Sequence, residues 1–230
     1  TVVKSKKQAL TYIRDAGFKV LAQSKFAIVE IGINQSLQLK PGMHVNLEAF
    51  TRNGALIRKN YFHHHRARGI RLQVSNTVIE NNRFENIMHA GITLGPEGEA
   101  EKLSPFQADW LENIMIRNNT FKNIGRGYTI ANDRSKGPGA IATEVTKFRE
   151  IKPGYAGFKN ISIIDNVIND CSVAGIYLVS VDGLTITGNK ISNTNQLKVG
   201  SEINMPPDKP ISLYYCKNVT QHDNSVSVGN

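Results

Sequence analysis

The string His63-His64-His65-Arg66-Ala67-Arg68-Gly69 is the densest run of chemistry-bearing side chains in the 230-residue sequence. Three consecutive histidines on a turn cannot all face one way, which argues against a three-ligand metal site built from this run alone. Arg66 and Arg68 flank the turn and suit a carboxylate, a sulfate or sugar hydroxyls, the alternative for each being a surface ion pair. A second concentration is acidic: Glu97, Glu99, Glu101 and Asp109, with Glu112 just beyond. Glycoside hydrolysis needs two carboxylates on opposite sides of the scissile bond, one of them kept protonated. A separation of about 6.5–9.5 Å marks inversion and about 5–5.5 Å retention. A loop overhanging a strand floor can supply such a pair, although acidic loop residues also serve simply as solubilising charge. Asp133, Arg134 and Glu144 form a thinner set. Trp110, the only tryptophan, is either a sugar-stacking platform or the hydrophobic foot of the acidic loop. The sequence carries no Ser/His/Asp order, phosphate-binding loop or dinucleotide fingerprint, and no metal or cofactor is expected.

What must hold these residues is a repeat. Asn76 to Leu94 reads NTVIENNRFENIMHAGITL: an apolar–polar alternation, an Asn-Asn pair, Phe84, a second polar turn, then Gly91-Ile92-Thr93-Leu94. The frame recurs at 55–72, 114–130 and 161–178 and, interrupted, at 184–213. Asn60, Asn82, Asn119, Asn166 and Asn189 occupy one position of it, and Asn224 begins a sixth copy. Uninterrupted, that Asn returns after 22 residues (60 to 82) or 23 (166 to 189), the signature of a stacked array. One unit of this size cannot bury its own apolar face, so copies must stack. Short β-branched strands, no helical segment and a fixed Asn rather than fixed leucines point to an all-β fold, a right-handed parallel β-helix of ~22-residue coils preceded by a small β-rich subdomain. The Asn column is structural, its amides bonding up the coils.

The chain therefore divides into residues 1–50, a barrel-like and incomplete subdomain without the repeat, and 51–230, the β-helix. Strands are expected over 26–33 and 43–50 in the first part. Insertions fall at 95–109, 131–157 and 195–209, the first two leaving equivalent exits on adjacent coils. Loops clustered along one edge of a solenoid form a binding face. In the third strand of each copy Ile70, Ile92, Ile176 and Ile211 alternate with Arg71, Thr93, Tyr177 and Ser212, with Thr129 in the same outward set. The isoleucines point inward. The outward set makes a floor suited to hydroxyl-rich or anionic ligands, or else an ordinary solvated sheet face.

The net charge of +9, from 28 basic and 19 acidic residues, favours a polyanionic partner. The charges are dispersed and no nucleic-acid motif is present, so nucleic acid is not the expected partner. No apolar run is long enough to span a membrane. The opening residues do not read as a signal peptide, and the missing initiator Met reads as a processed chain or a fragment. Cys171 and Cys216 make no disulfide framework; Cys171 shares its frame position with Ile87 and Ile124 and reads as a small buried hydrophobe.

On Arg66-Ala67-Arg68-Gly69-Ile70, Val78 to Phe84, Trp110 with Glu112, and Ile116 to Phe121, the segment 65–124 resembles the β-helix α-1,3-galactosidases of glycoside hydrolase family 110. The resemblance covers about a quarter of the chain. It implies an inverting, metal-free, exo-acting hydrolase of a galactose-containing or anionic polysaccharide, secreted or periplasmic. The family's Gly-Asp at the end of the groove strand is Pro96-Glu97 here, which makes Glu97 the stand-in for the acid. The expected catalytic set is Glu97, Glu99, Asp109 and Glu112, and the expected substrate-binding set is Arg66, Arg68, Arg71, Thr93, Trp110 and Tyr177. A polysaccharide lyase or epimerase and a non-catalytic glycan-binding β-helix are the alternatives.

Overall fold

The computed structural model describes residues 2–3, 29–30, 54–95, 110–129, 139–143, 157–196 and 207–227. The chain separates into two compact units, Thr1–Met43 and His44–Asn230. In the first, Val2–Val3 pairs antiparallel with Val29–Glu30. The strand expected over 43–50 lies outside the described residues.

In the second unit each of five coils contributes one strand to each of three parallel sheets, and a sixth adds a strand to the first two. The first sheet stacks Ala55–Arg58, Thr77–Glu80, Glu112–Arg117, Phe158–Ile164, Val181–Thr187 and Lys217–His222 in chain order. The second stacks Tyr61–His63, Arg83–Ile87, Thr120–Ile124, Val167–Cys171, Lys190–Ser192 and Ser225–Ser227. The third stacks Ile70–Leu72, Ile92–Leu94, Gly139–Thr143, Ala174–Val179 and Ile211–Tyr214. Registers are those of the repeat frame, so like residues meet. Ile79, Ile116, Ile163 and Ile186 form one inward column, and Ile92, Ile141 and Ile176 another. Phe62, Phe84 and Phe121 stack at centroid distances of 5.0 and 4.7 Å. A Cβ on Gly69 would come within 2.9 Å of the Phe84 ring, and one on Gly91 within 2.7 Å of Phe121. Those glycines are small because the rings are large. Each buried Ile or Phe contributes about 1.5–3 kcal/mol through burial, so stacking supplies the stability that no coil has alone.

The corners are shaped by residues that tolerate a left-handed backbone. One column runs Asn76, Asn113, Asn160, Gly183 and Asn218, at φ between 48 and 75°. A second runs His64, Asn86, Asn123, Asp170 and Asn193, at φ between 50 and 58°. Short polar side chains and glycine make this conformation inexpensive.

Between the first and second sheets lies the Asn ladder. In Asn119, Nδ2 donates to Asn166 Oδ1 at 3.0 Å, to Ile79 O at 2.9 Å and to Arg117 O at 3.0 Å. Its Oδ1 accepts from the backbone N–H of Asn82 at 2.9 Å and from Asn82 Nδ2 at 3.0 Å. The same pattern links Asn60 to Asn82, Asn166 to Asn189 and Asn189 to Asn224. Asn224 thus belongs to a sixth copy. Every N–H of the buried amides is spent, which is what lets them sit inside without a desolvation penalty.

One expected strand sits elsewhere. Residues 126–129 form a 3-10 turn, and the third strand of that coil is Gly139–Thr143. The stretch 131–157 is therefore not one loop after the third strand, because its middle re-enters the sheet between Ile92–Leu94 and Ala174–Val179. The outward position expected for Thr129 is held by Ala142. Gly-Tyr-Thr-Ile copies the frame's Gly-Ile-Thr-Leu, but Ile141 is what fills the inward column.

Candidate functional site

The third sheet brings Arg71, Thr93, Ala142, Tyr177 and Ser212 into one register column. This face is not an open floor. Thr93 and Tyr177 are wholly enclosed and Ser212 is 2% exposed, which corrects the expectation that they present themselves to ligand. Burial drives the Tyr177 phenol well above its usual range, so it stays protonated. The Oγ1 of Thr93 is enclosed without a hydrogen-bond partner, a cost of about 1–3 kcal/mol.

The other expected residues scatter. Arg66 is exposed and Arg68 half-buried on the turn that feeds Ile70–Leu72. Trp110 packs edge-on against Phe158, at 5.0 Å and 85°, and a Cβ on Gly157 would lie 2.1 Å from its indole. Its ring is the hydrophobic foot, the structural one of the two readings. Glu112 opens a first-sheet strand; its amide N–H donates to Ser75 Oγ at 3.0 Å. It begins a register column that alternates in charge, Glu112, Lys159, Asp182 and Lys217. Glu97, Glu99 and Asp109 lie outside the described residues. Cys171 is fully buried, and its thiol is pushed up to about 12 by desolvation, which makes it inert as a nucleophile.

A different surface gathers polar groups around an exposed tyrosine. An open pocket of about 480 Å³ lies at the corner between the first and second sheets, over the ladder's beginning. Lys59, Asn60, Tyr61, Asn81, Arg83 and Asn118 line it, with Asn82 and Thr120. Among the described residues its lining carries two cations, Lys59 and Arg83, the second paired with Glu85. Lys59, Asn81 and Asn118 stand side by side because each takes the left-handed turn conformation, at φ 57, 54 and 53°. Tyr61 is 49% exposed and its ring is covered on one side by the Arg83 guanidinium, 4.8 Å from the centroid. Glu85 fixes both: Tyr61 Oη donates to it at 2.7 Å and Arg83 at 2.5 Å. These bonds, the tyrosine's first, hold the Glu85 carboxyl below its usual range, and the same bond raises the Tyr61 phenol. The result is a fixed aromatic edge beside two cations and a row of amides.

The repeat gives a structural role to the second Asn of each pair, Asn82 and Asn119, and none to the first. The first, Asn81 or Asn118, turns outward, and the signal was the exposed aromatic Tyr61 one strand away.

A family model described as the right handed beta helix region matches residues 9–137. A search of curated proteins found no match.

Proposed function

The chain belongs to the right-handed β-helix family, a fold found in carbohydrate-active proteins, and from that premise we propose that it binds a polysaccharide, anionic or rich in galactose. Fold alone carries no function. The observation that supports this reading is the corner pocket, where Lys59 and the Glu85-paired Arg83 stand beside the Tyr61 ring and the Asn81 and Asn118 amides. An aromatic edge takes the apolar face of a sugar ring. Amides take its hydroxyls, and cations take a uronate or sulfate. The net charge of +9 draws such a polymer in. A secreted or periplasmic setting, where these polymers occur, is part of the proposal.

Calorimetric titration with polygalacturonate and with neutral galactan tests it. Binding to polygalacturonate should weaken about tenfold, about 1.4 kcal/mol, in Tyr61→Ala and in Lys59→Ala, with circular dichroism unchanged. Undiminished binding in both variants would remove the pocket from the reading.

A second reading, an inverting galactoside hydrolase, rests on the likeness of Arg66-Ala67-Arg68-Gly69-Ile70 and Trp110 with Glu112 to the α-1,3-galactosidases. In this reading Glu97 is the acid and Glu99 or Asp109 the second carboxylate. Glu97→Gln should abolish release of sugar from an α-galactoside panel while polysaccharide binding survives. Release undiminished by that change removes Glu97. A product absorbing in the ultraviolet and suppressed by EDTA would establish a lyase instead.

A further inference from the structure

We propose that His63 and His64 form a two-imidazole site for a tetragonal divalent cation, copper(II) above all. The inference stands apart from the glycan reading. His63 closes a second-sheet strand with its side chain outward and exposed. His64 follows in the left-handed conformation, at φ 55°. That reversal turns the second ring back on the first. The two Nδ1 atoms lie 3.0 Å apart, with the rings at 86° to each other. Adjacent residues of an extended strand point to opposite faces, so the turn is what makes two neighbouring imidazoles converge.

The separation admits a chelate. Metal–imidazole bonds run about 2.0–2.1 Å, so two nitrogens 3.0 Å apart subtend about 94° at a shared cation. A tetrahedral angle would need them about 3.3 Å apart. An angle near 90° is that of cis ligands in a tetragonal field, the preference of copper(II) and nickel(II), and copper(II) binds nitrogen most tightly of the divalent first-row ions. Among the described residues no group of three or more His, Cys, Asp or Glu converges, so solvent fills the remaining positions.

The amide column behind the site fixes the resting protons. Asn123 Nδ2 donates to Asn86 Oδ1, which turns Asn86 Nδ2 toward His64 Nε2 at 3.3 Å. An amide N–H only donates, so neutral His64 carries its proton on Nδ1 and gives it to His63 Nδ1. The shared proton occupies the position the cation would take. Cation binding moves that proton to Nε2 of the exposed His64 ring, and the Asn86 Nδ2 contact is given up. No net proton is released, and both Nδ1 lone pairs face the cation.

The test is titration of the tag-free chain with copper(II) at neutral pH, read by calorimetry and electron paramagnetic resonance. Wild type should bind with two imidazole nitrogens in the equatorial plane. His64→Asn keeps a residue suited to the turn, as in the Asn86 position, and should cost at least about tenfold in affinity and one nitrogen coupling, since even partners behind a ligand cost that much. His63→Thr should do the same, while His65→Ala and His222→Ala should leave affinity and spectrum unchanged. Unaltered binding in His64→Asn, or loss confined to His65→Ala, overturns the proposal. Zinc(II) bound as tightly as copper(II) overturns the tetragonal assignment.

Discussion

Two edges of the β-helix are built from the same repeat and treat their polar groups in opposite ways. At the corner between the first and second sheets, the Asn82, Asn119, Asn166 and Asn189 amides are buried and every N–H is spent. On the third sheet, Thr93 is equally buried and its hydroxyl is unspent. The ladder satisfies itself because identical side chains meet in register and each amide offers both donor and acceptor. A hydroxyl column cannot form when Arg, Thr, Ala, Tyr and Ser succeed one another. One edge is closed chemistry and the other retains something to give.

The largest expected effect lies in the ladder. Asn119→Ala removes three donated bonds and takes the acceptor from the Asn82 backbone N–H, while Asn82 Nδ2 keeps Ile57 O and Glu80 O. Denaturant unfolding should show a loss of about 3–4 kcal/mol. A loss under 1 kcal/mol would mean the ladder is ornamental and the contrast with the third sheet false. Thr93→Val is the matching change on the other edge. It exchanges an unsatisfied hydroxyl for a methyl of the same shape, so stability should hold or rise by about 1 kcal/mol. A drop of more than 1 kcal/mol would reveal a partner that Thr93 does serve.

The smallest effect concerns pH. The Glu85 carboxyl is held below its ordinary value of 4.5 by Tyr61 and Arg83. A depressed carboxylate contributes stability above the unfolded value and loses it as pH falls through the folded one. Glu85→Gln should therefore melt slightly below wild type at pH 7, and the gap should close as pH drops below about 4.5. A gap independent of pH would show that the Tyr61 and Arg83 contacts act through packing rather than charge.

The fold was legible because its determinant is periodic. Asn60 to Asn224, the phenylalanine stack and the inward isoleucines all follow from spacing. What the spacing could not convey is what lies over a residue. Alternation says that Thr93 and Tyr177 leave the coil; it does not say that they are enclosed. It also misled at Thr129, where Gly-Tyr-Thr-Ile echoes the frame but Gly-Ala-Ile-Ala-Thr supplies the strand. The corner pocket was hidden for a subtler reason. Asn81 and Asn82 are the same residue type with opposite roles, and only the backbone conformation at the first separates them. Glu97, Glu99 and Asp109 belong to a stretch outside the repeat, to which the periodic argument does not extend.

The ladder also sets the step in which this protein can change length. Each amide bonds to the next in the same way whether 22, 23, 35, 37 or 47 residues intervene. Inserting a segment at a corner, or deleting one whole coil, leaves donor facing acceptor. Deleting a single residue within a strand turns every later side chain of that strand to the wrong face. For genetic change, then, the molecule is quantised: a gain or loss of a complete turn is mild, and a gain or loss of one codon inside a strand is severe.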